Sequence, residues 1–270
     1  VYTYELIKQP ITSIVKMGSP IGGEAANDGL GRSISLSDDG TIVAIGATQN
    51  ASRGCVRVYQ YTDNSWQKIG DIDGEDDSGE SGHSVSLSAD GTILAIGAHA
   101  NSTIETRSGQ VRVYQYTNNS WEPKGSTITG EMAYDETGRA ISLSADGNTL
   151  ALGEPYKNAN GLVNSGQVRV VKYTNNDWEP MGSVIHTESA GDQNGYSVSL
   201  NIDGTIIAIS ARSDNNVNGN GSGRVRVYQY TDNSWQKLGN DIYGQATDDN
   251  SGFSVSLSSD GTIVAIGAVY

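Results

Sequence analysis

The chain of 270 residues contains one cysteine, five prolines, one phenylalanine and three histidines, and its 17 lysines and arginines face 31 acids, a formal net charge of −14. Each scarcity excludes something. Cys55 alone cannot close an intrachain disulfide; it is either a small buried apolar residue or a free or intermolecular thiol, and it leaves the redox compartment open. The shortage of basic residues argues against nucleic acid and anionic membranes, whose attraction rests on Lys and Arg displacing counterions. It favours solubility and cationic partners. Apolar runs such as Ile93 to Ile96 are strand-length, far below the roughly 18–20 residues of a membrane helix, so no membrane insertion is expected. No segment places apolar residues at helical spacing between caps, and helices are expected to be absent. The chain starts at Val1 without a charged-then-apolar leader, which reads as a processed product or a portion of something longer.

What is abundant is glycine, with 34 residues, and tyrosine, with 14, and both belong to a repeat. VRVYQYTDNSWQK at 56–68 recurs letter for letter at 225–237, and DGTIVAIGA at 39–47 recurs at 260–268. An Asp-Gly pair places glycine at 40, 91, 147, 204 and 261, and tryptophan stands at 66, 121, 178 and 235. Periods of this length belong to propellers and solenoids. Each unit reads as four strands. In Ser84 to Ala98, small polar and apolar residues alternate, an Asp-Gly hairpin turns the chain, and a more continuous apolar run follows. A variable loop leads to a third strand such as Val111 to Tyr116, and Thr117-Asn-Asn-Ser turns it into a fourth beginning at Trp121.

The phase of the repeat matters. Val1-Tyr-Thr-Tyr matches Val58-Tyr-Gln-Tyr, so the chain opens on a third strand, and it stops just past a second strand at Ala268. The expectation is an all-β protein: a single β-propeller domain of four-stranded antiparallel blades, spanning 1–270. Residues 25–75, 76–131, 132–187 and 188–244 make full blades. Residues 1–24 supply the third and fourth strands, and 245–270 the first and second, of one composite fifth blade that closes the ring. The alternative is part of a longer propeller array.

The run Gly-x-Ser-Val-Ser-Leu, Asp-Gly, Ala-Ile-Gly-Ala and Gly-x-Val-Arg-Val-Tyr resembles the FG-GAP repeats of the integrin α-chain β-propeller, over essentially the whole chain and most clearly at 251–268 and 108–114. The resemblance implies an extracellular adhesion or ligand-binding platform. Calcium-binding members of that family carry alternating Asp or Asn around the Asp-Gly and a further carboxylate three residues on. Here Val43, Leu94, Leu150, Ile207 and Val264 occupy that place. The turn aspartates are therefore expected to be turn formers, with no metal or other cofactor.

Candidate binding residues fall into two groups. The residue after the glycine that opens each first strand is Arg32, His83, Arg139, Tyr196 or Phe253; with the first strand innermost, these line the mouth of a central channel. The loops between blades carry Glu75, Asp76, Asp77, Asp135, Glu136, Asp248 and Asp249, an electronegative face suited to cationic partners. Arg57, Arg112 and Arg226 share strand faces with tyrosines and could stack on them, and the recurring tryptophans read as structural. Asn50, Asn101, Asn118 and Asn220 open N-glycosylation sequons in predicted loops or turns and favour a secreted, cell-surface location.

His83, His99 and His186 occupy non-equivalent places, no catalytic or Cys/His metal motif is present, and the first strands offer Ser, Val, Ile and Leu where a propeller glycosidase needs inward carboxylates. The expected function is a non-enzymatic extracellular interaction or adhesion module with protein or glycan ligands, with self-assembly into a surface or filamentous array as one form it can take. The alternative is a lectin binding glycans between blades; a hydrolase is less favoured.

Overall fold

A computed structural model describes residues 16–269; the expected strand at Val1 to Tyr4 lies outside them. The described chain is all-β apart from one 3-10 turn at Asn50–Ser52. Four sheets follow one another along the chain, each an antiparallel meander. The first is β1 (Leu30–Leu36), β2 (Ile42–Ala47), β3 (Cys55–Thr62) and β4 (Ser65–Asp73). The second is β5 (Ser84–Leu87), β6 (Ile93–Ala98), β7 (Gln110–Thr117) and β8 (Ser120–Pro123), with β9 (Ile128–Thr129) also pairing β7. The third is β10 (Ala140–Leu143), β11 (Thr149–Glu154), β12 (Gln167–Thr174) and β13 (Asp177–Pro180), with β14 (Ile185–His186) on β12. The fourth is β15 (Asn194–Leu200), β16 (Ile206–Ala211), β17 (Arg224–Thr231) and β18 (Ser234–Tyr243), and the hairpin β19 (Ser254–Leu257) and β20 (Val264–Gly267) follows it.

Two turns set these meanders. In the first hairpin Asp39 Oδ1 accepts from the Thr41 amide at 2.9 Å and the Ser37 hydroxyl at 2.7 Å, and Ser37 Oγ accepts the Ile42 amide at 2.9 Å. Asp90, Asp146, Asp203 and Asp260 repeat the bond to the amide two residues on. These bonds hold the Asp260 carboxyl low, at about 2. The aspartates are thus turn formers, and Val43, Leu94, Leu150 and Ile207 three residues beyond each Gly lie in the core. The second turn puts Asp63-Asn64, Asn118-Asn119, Asn175-Asn176 and Asp232-Asn233 at positive φ, 49° to 65°. That is the left-handed pair which a two-residue hairpin requires and which Asn and Asp tolerate best.

The sheets pack face to face, and the core lies in the layers between them. Ile42, Ala44, Val56 and Val58 of the first sheet meet Leu87, Leu94 and Ile96 of the second. Ile93, Ala95, Val111 and Val113 meet Leu143, Leu150 and Leu152 of the third. Ala151, Val168 and Val170 meet Val198, Leu200, Ile207 and Ile209 of the fourth.

The first strands stand next to one another in chain order, and small residues stitch them. Leu87 N donates to Ser35 Oγ at 2.9 Å, Leu143 N to Ser86 at 3.0 Å, Leu200 N to Ser142 at 2.9 Å and Leu257 N to Ser199 at 3.0 Å. The hairpin turns are chained too: Asp38 N donates to Ala89 O, Ala89 N to Ala145 O, Ala145 N to Ile202 O and Ile202 N to Ser259 O, each at 2.9 Å. Asp38, Ala89, Ala145, Ile202 and Ser259 surround one cavity of about 160 Å³. Glycine permits the close approach, since a Cβ at Gly46, Gly97 or Gly153 would overlap the carbonyl oxygen of Gly82, Gly138 or Gly195 in the next sheet.

Among the described residues the chain of contacts has four steps. Ile34 and Leu36 on β1 are 63% and 54% exposed, although their counterparts Val198 and Leu200 are buried at 7% and 8%. At the other end Ile263 is 54% exposed, against 9% for its counterpart Ile42. Gly31 has no atom within reach of a Cβ, unlike Gly82, Gly138 and Gly195. Among the described residues nothing covers the face before β1 or the face after β20, and they are the two complementary halves of the layer formed at every other junction.

Candidate functional site

The five residues picked out after the opening glycines share one local geometry. Gly31, Gly82, Gly138, Gly195 and Gly252 all have φ between 85° and 94°, a left-handed conformation that glycine adopts without strain. The amides of Arg32, His83, Arg139, Tyr196 and Phe253 each donate to the carbonyl three residues back, at 3.0–3.2 Å. The same turn thus presents five unlike side chains at the start of five first strands.

Their side chains form a continuous belt. Arg32 Nη2 lies 3.4 Å from His83 Nε2, and the His83 and His99 rings meet with centroids 3.9 Å apart and planes tilted by 47°. Arg107 Nη2 lies 3.4 Å from His99 Nε2 and pairs with Glu136 at 2.7 Å; Glu136 also pairs with Arg139 at 3.0 Å. Arg139 donates to Tyr196 Oη at 3.4 Å, and Tyr196 meets Phe253 with centroids 5.6 Å apart. Arg212 lies over the Tyr196 ring at 4.0 Å.

Position along the repeat brought out five of these groups, but His99, Arg107, Glu136 and Arg212 join from loops. The signal for His99 was the register: Ser84 pairs Gly97, which brings the residue before Ser84 alongside the chain just past Gly97. His83 and His99, non-equivalent in the repeat, are thus adjacent in space, whereas His186 is exposed elsewhere on β14.

Burial and the surrounding guanidiniums decide the charge of the belt. Desolvation, then Arg32, Arg139 and Arg107, push the His83 imidazole down to about 3. Desolvation and then His83, with the same arginines, push His99 to about 2. Both rings are neutral at pH 7. Four guanidiniums, Arg32, Arg107, Arg139 and Arg212, then face two carboxylates, Glu80 and Glu136, so the belt is locally cationic in a chain of net charge −14.

Four of the seven loop acids expected to form an electronegative face are paired with cations. Glu75 pairs with Arg112 at 3.2 Å, Asp77 with Arg53 at 2.7 Å, Asp135 with Lys157 at 2.7 Å, and Glu136 with the two arginines above. Asp76 accepts the Ser102 amide, and Asp249 the amides of Gln245 and Ala246. Asp248 is the one of the seven whose side chain makes no hydrogen bond or ion pair among the described residues. The arginines expected to stack on tyrosines are taken by acids instead: Arg57, 1% exposed, sits among Asp28, Glu24 and Asp71, and Arg226 pairs with Glu188 and Asp241. Arg112 alone of the three lies over its tyrosine, Tyr114, at 5.5 Å.

The tryptophans bridge sheets along the outer strands. Trp66, Trp178 and Trp235 donate Nε1–H to the carbonyls of Met17, Lys124 and Met181 at 2.8–3.1 Å. Beside them lie three comparable clefts: Ser126 to Thr129 with Trp178, about 360 Å³; Ser19 to Gly22 with Trp66, about 250 Å³; and Ser183 to His186 with Trp235, about 340 Å³. Of the sequon asparagines, Asn118 and Asn220 are exposed and Asn50 is half-buried. Asn101 is 2% exposed with Oδ1 accepting the Thr103 amide, so the folded chain leaves no room for a glycan there.

No helix among the described residues is long and apolar enough to cross a membrane. The chain matches no protein-family model and no curated protein.

Proposed function

We propose that the chain is a β-propeller whose sheets are blades, related to the FG-GAP repeats it resembles, and that it works as a non-enzymatic extracellular interaction module. The stitched first strands and the single cavity ringed by five hairpin turns support the propeller reading. The exposed Ile34, Leu36 and Ile263 favour an arc of a longer array over a ring closed by five blades.

The belt from Arg32 to Phe253 carries the functional reading. Chemically diverse side chains held by one repeated turn are what a recognition rim needs: a rigid scaffold with variable contacts. Guanidiniums beside exposed aromatic surface suit an anionic group, such as a carboxylate on a protein or glycan. This revises the expected partner from cationic to acidic at the rim, since four of the seven loop acids already pair with arginine or lysine.

A second reading rests on the three tryptophan clefts, which have the equivalence expected of glycan sites between blades. Binding of labelled chain to a glycan array and to fixed cells separates the two. Loss of binding in Arg139→Ala/Phe253→Ala supports the rim, and loss in Trp178→Ala with an intact rim supports the clefts. Binding unchanged in the rim variant overturns the first reading. Mass spectrometry of native material for glycans on Asn118 and Asn220 tests secretion.

A further inference from the structure

We propose that Glu80, His83 and His99 form a binding site for one divalent transition-metal ion of the zinc class, for which Arg32 and Arg107 compete. The proposal does not rest on the rim's ligand or on the propeller reading. It rests on two independent observations about three side chains.

The first is geometry. One donor atom from each residue lies within 4.8 Å of the other two. Glu80 and His83 belong to one turn, with Glu80 Oε2 3.6 Å from His83 Nδ1. Ligands about 2.0–2.1 Å from a tetrahedral zinc ion are about 3.3 Å apart, so the Glu80–His83 pair is already near that spacing, and His99 closes the rest, at most about 1.5 Å, as its ring turns. Two imidazoles and a carboxylate are a donor set that zinc, cobalt and nickel favour, whereas calcium and magnesium prefer all-oxygen shells.

The second is an unmet bonding requirement. His83 Nδ1 and His99 Nδ1 are both buried without a hydrogen-bond partner, and His99 is 3% exposed. Buried polar atoms in folded chains are overwhelmingly satisfied, so each orphan calls for an explanation. Here two occur on adjacent rings tilted by 47°, with Glu80 Oε2 3.6 Å from one of them. A metal ion is a partner that would engage both rings at once.

The arginines give the site its particular behaviour. A guanidinium can only donate, so Arg32 Nη2 at 3.4 Å from His83 Nε2, and Arg107 Nη2 at 3.4 Å from His99 Nε2, make each Nε2 an acceptor. In a neutral ring the proton then sits on Nδ1. For Nδ1 to ligate a metal, that proton leaves the nitrogen and the ring takes up a proton at Nε2, and each guanidinium turns away from the resulting N–H. Arg107 has an alternative seat on Glu136 at 2.7 Å, whereas Arg32 is exposed and has no acidic partner among the described residues. Arg32 is therefore the stronger competitor. Arg139, the third guanidinium facing the rings, is held by Glu136 and Tyr196.

Calorimetric titration of the purified chain with zinc chloride, and visible absorption on titration with cobalt chloride, test this. The expected result is one ion per chain, with the cobalt band of a four-coordinate nitrogen and oxygen site. His83→Gln and His99→Gln lower the affinity at least tenfold, His186→Gln leaves it unchanged, and Arg32→Ala raises it several-fold. Circular dichroism checks folding; Glu80→Gln, at a 42% exposed side chain, provides a loss variant that does not disturb the core. Absence of binding in both wild type and Arg32→Ala overturns the proposal. So does binding that survives in Glu80→Gln and in whichever histidine variants fold.

Discussion

Replacing Gly97 by alanine tests the junction between sheets where it is tightest. The added methyl would overlap both the Gly138 carbonyl oxygen of the third sheet and the Ser84 hydroxyl, two atoms that are hydrogen-bonded to each other at 2.7 Å. Forcing a methyl into a full site costs about 1–3 kcal/mol, and the displaced hydrogen bond adds about 1 kcal/mol. The expected loss is about 3 kcal/mol, or roughly 6–12 °C in the melting temperature of a domain this size. Gly267→Ala is the matched control, because among the described residues no following sheet covers it and its methyl would meet only the end of the Ser254 side chain. Its cost should be below about 1 kcal/mol. The fourth sheet carries Ser210 at this place, where the hydroxyl accepts the Ser197 amide at 2.9 Å. Urea and thermal unfolding of the two variants, read by tryptophan fluorescence and circular dichroism, give the comparison. A neutral Gly97→Ala refutes the close approach of sheets. A Gly267→Ala as damaging as Gly97→Ala refutes the open face, since it places the Gly31 backbone against β20 in solution.

Three further outcomes are expected. Trp178→Phe loses the bond to the Lys124 carbonyl and should cost about 1 kcal/mol, whereas Trp121→Phe removes an Nε1–H that is buried without a partner and should cost less; paired urea melts decide. Burial and the neighbouring Asp214 raise the Asp192 carboxyl to about 6. The folded chain then holds a proton that the unfolded chain has lost, so stability falls as pH rises from about 4 to about 6. The span from 3.8 to about 6 corresponds to about 3 kcal/mol; Asp192→Asn should flatten that slope in melts at pH 4, 5, 6 and 7, and an unchanged slope counts against it. Burial pushes the Cys55 thiol up to about 11, so a thiol reagent at pH 8 should label it only after unfolding; fast labelling of the native chain contradicts its placement.

Much of the fold was legible because it is local. Alternation of small polar and apolar residues in Ser84 to Leu87, and the Asp-Gly and Asn-Asn pairs, each specify one strand or one turn from a handful of neighbouring residues. The repeat then multiplied the signal. The belt positions were legible for the same reason, since one turn governs all five. Contacts that depend on loops of unequal length were not. Nothing in the order of residues ties Arg107 to His99, or Lys157 to Asp135, and so the acids read as a free face when most are paired. Asn101 carries a sequon as plain as that of Asn220, yet folding of the same loop that presents Arg107 buries it. Closure of the ring was a matter of phase alone, which counts strands but not the angle between sheets.

The serine-to-amide and turn-to-carbonyl bonds have a consequence for how such a chain changes over generations. Every join uses the same two bonds and nearly the same glycine, and these bonds tie each unit to the one before and the one after. A copied or lost unit can be spliced into the row without redesigning any join, because its two faces already match those of its new neighbours. Natural selection can therefore adjust the number of units and the belt side chains separately. The verbatim return of VRVYQYTDNSWQK three units further on is the kind of trace that such copying leaves.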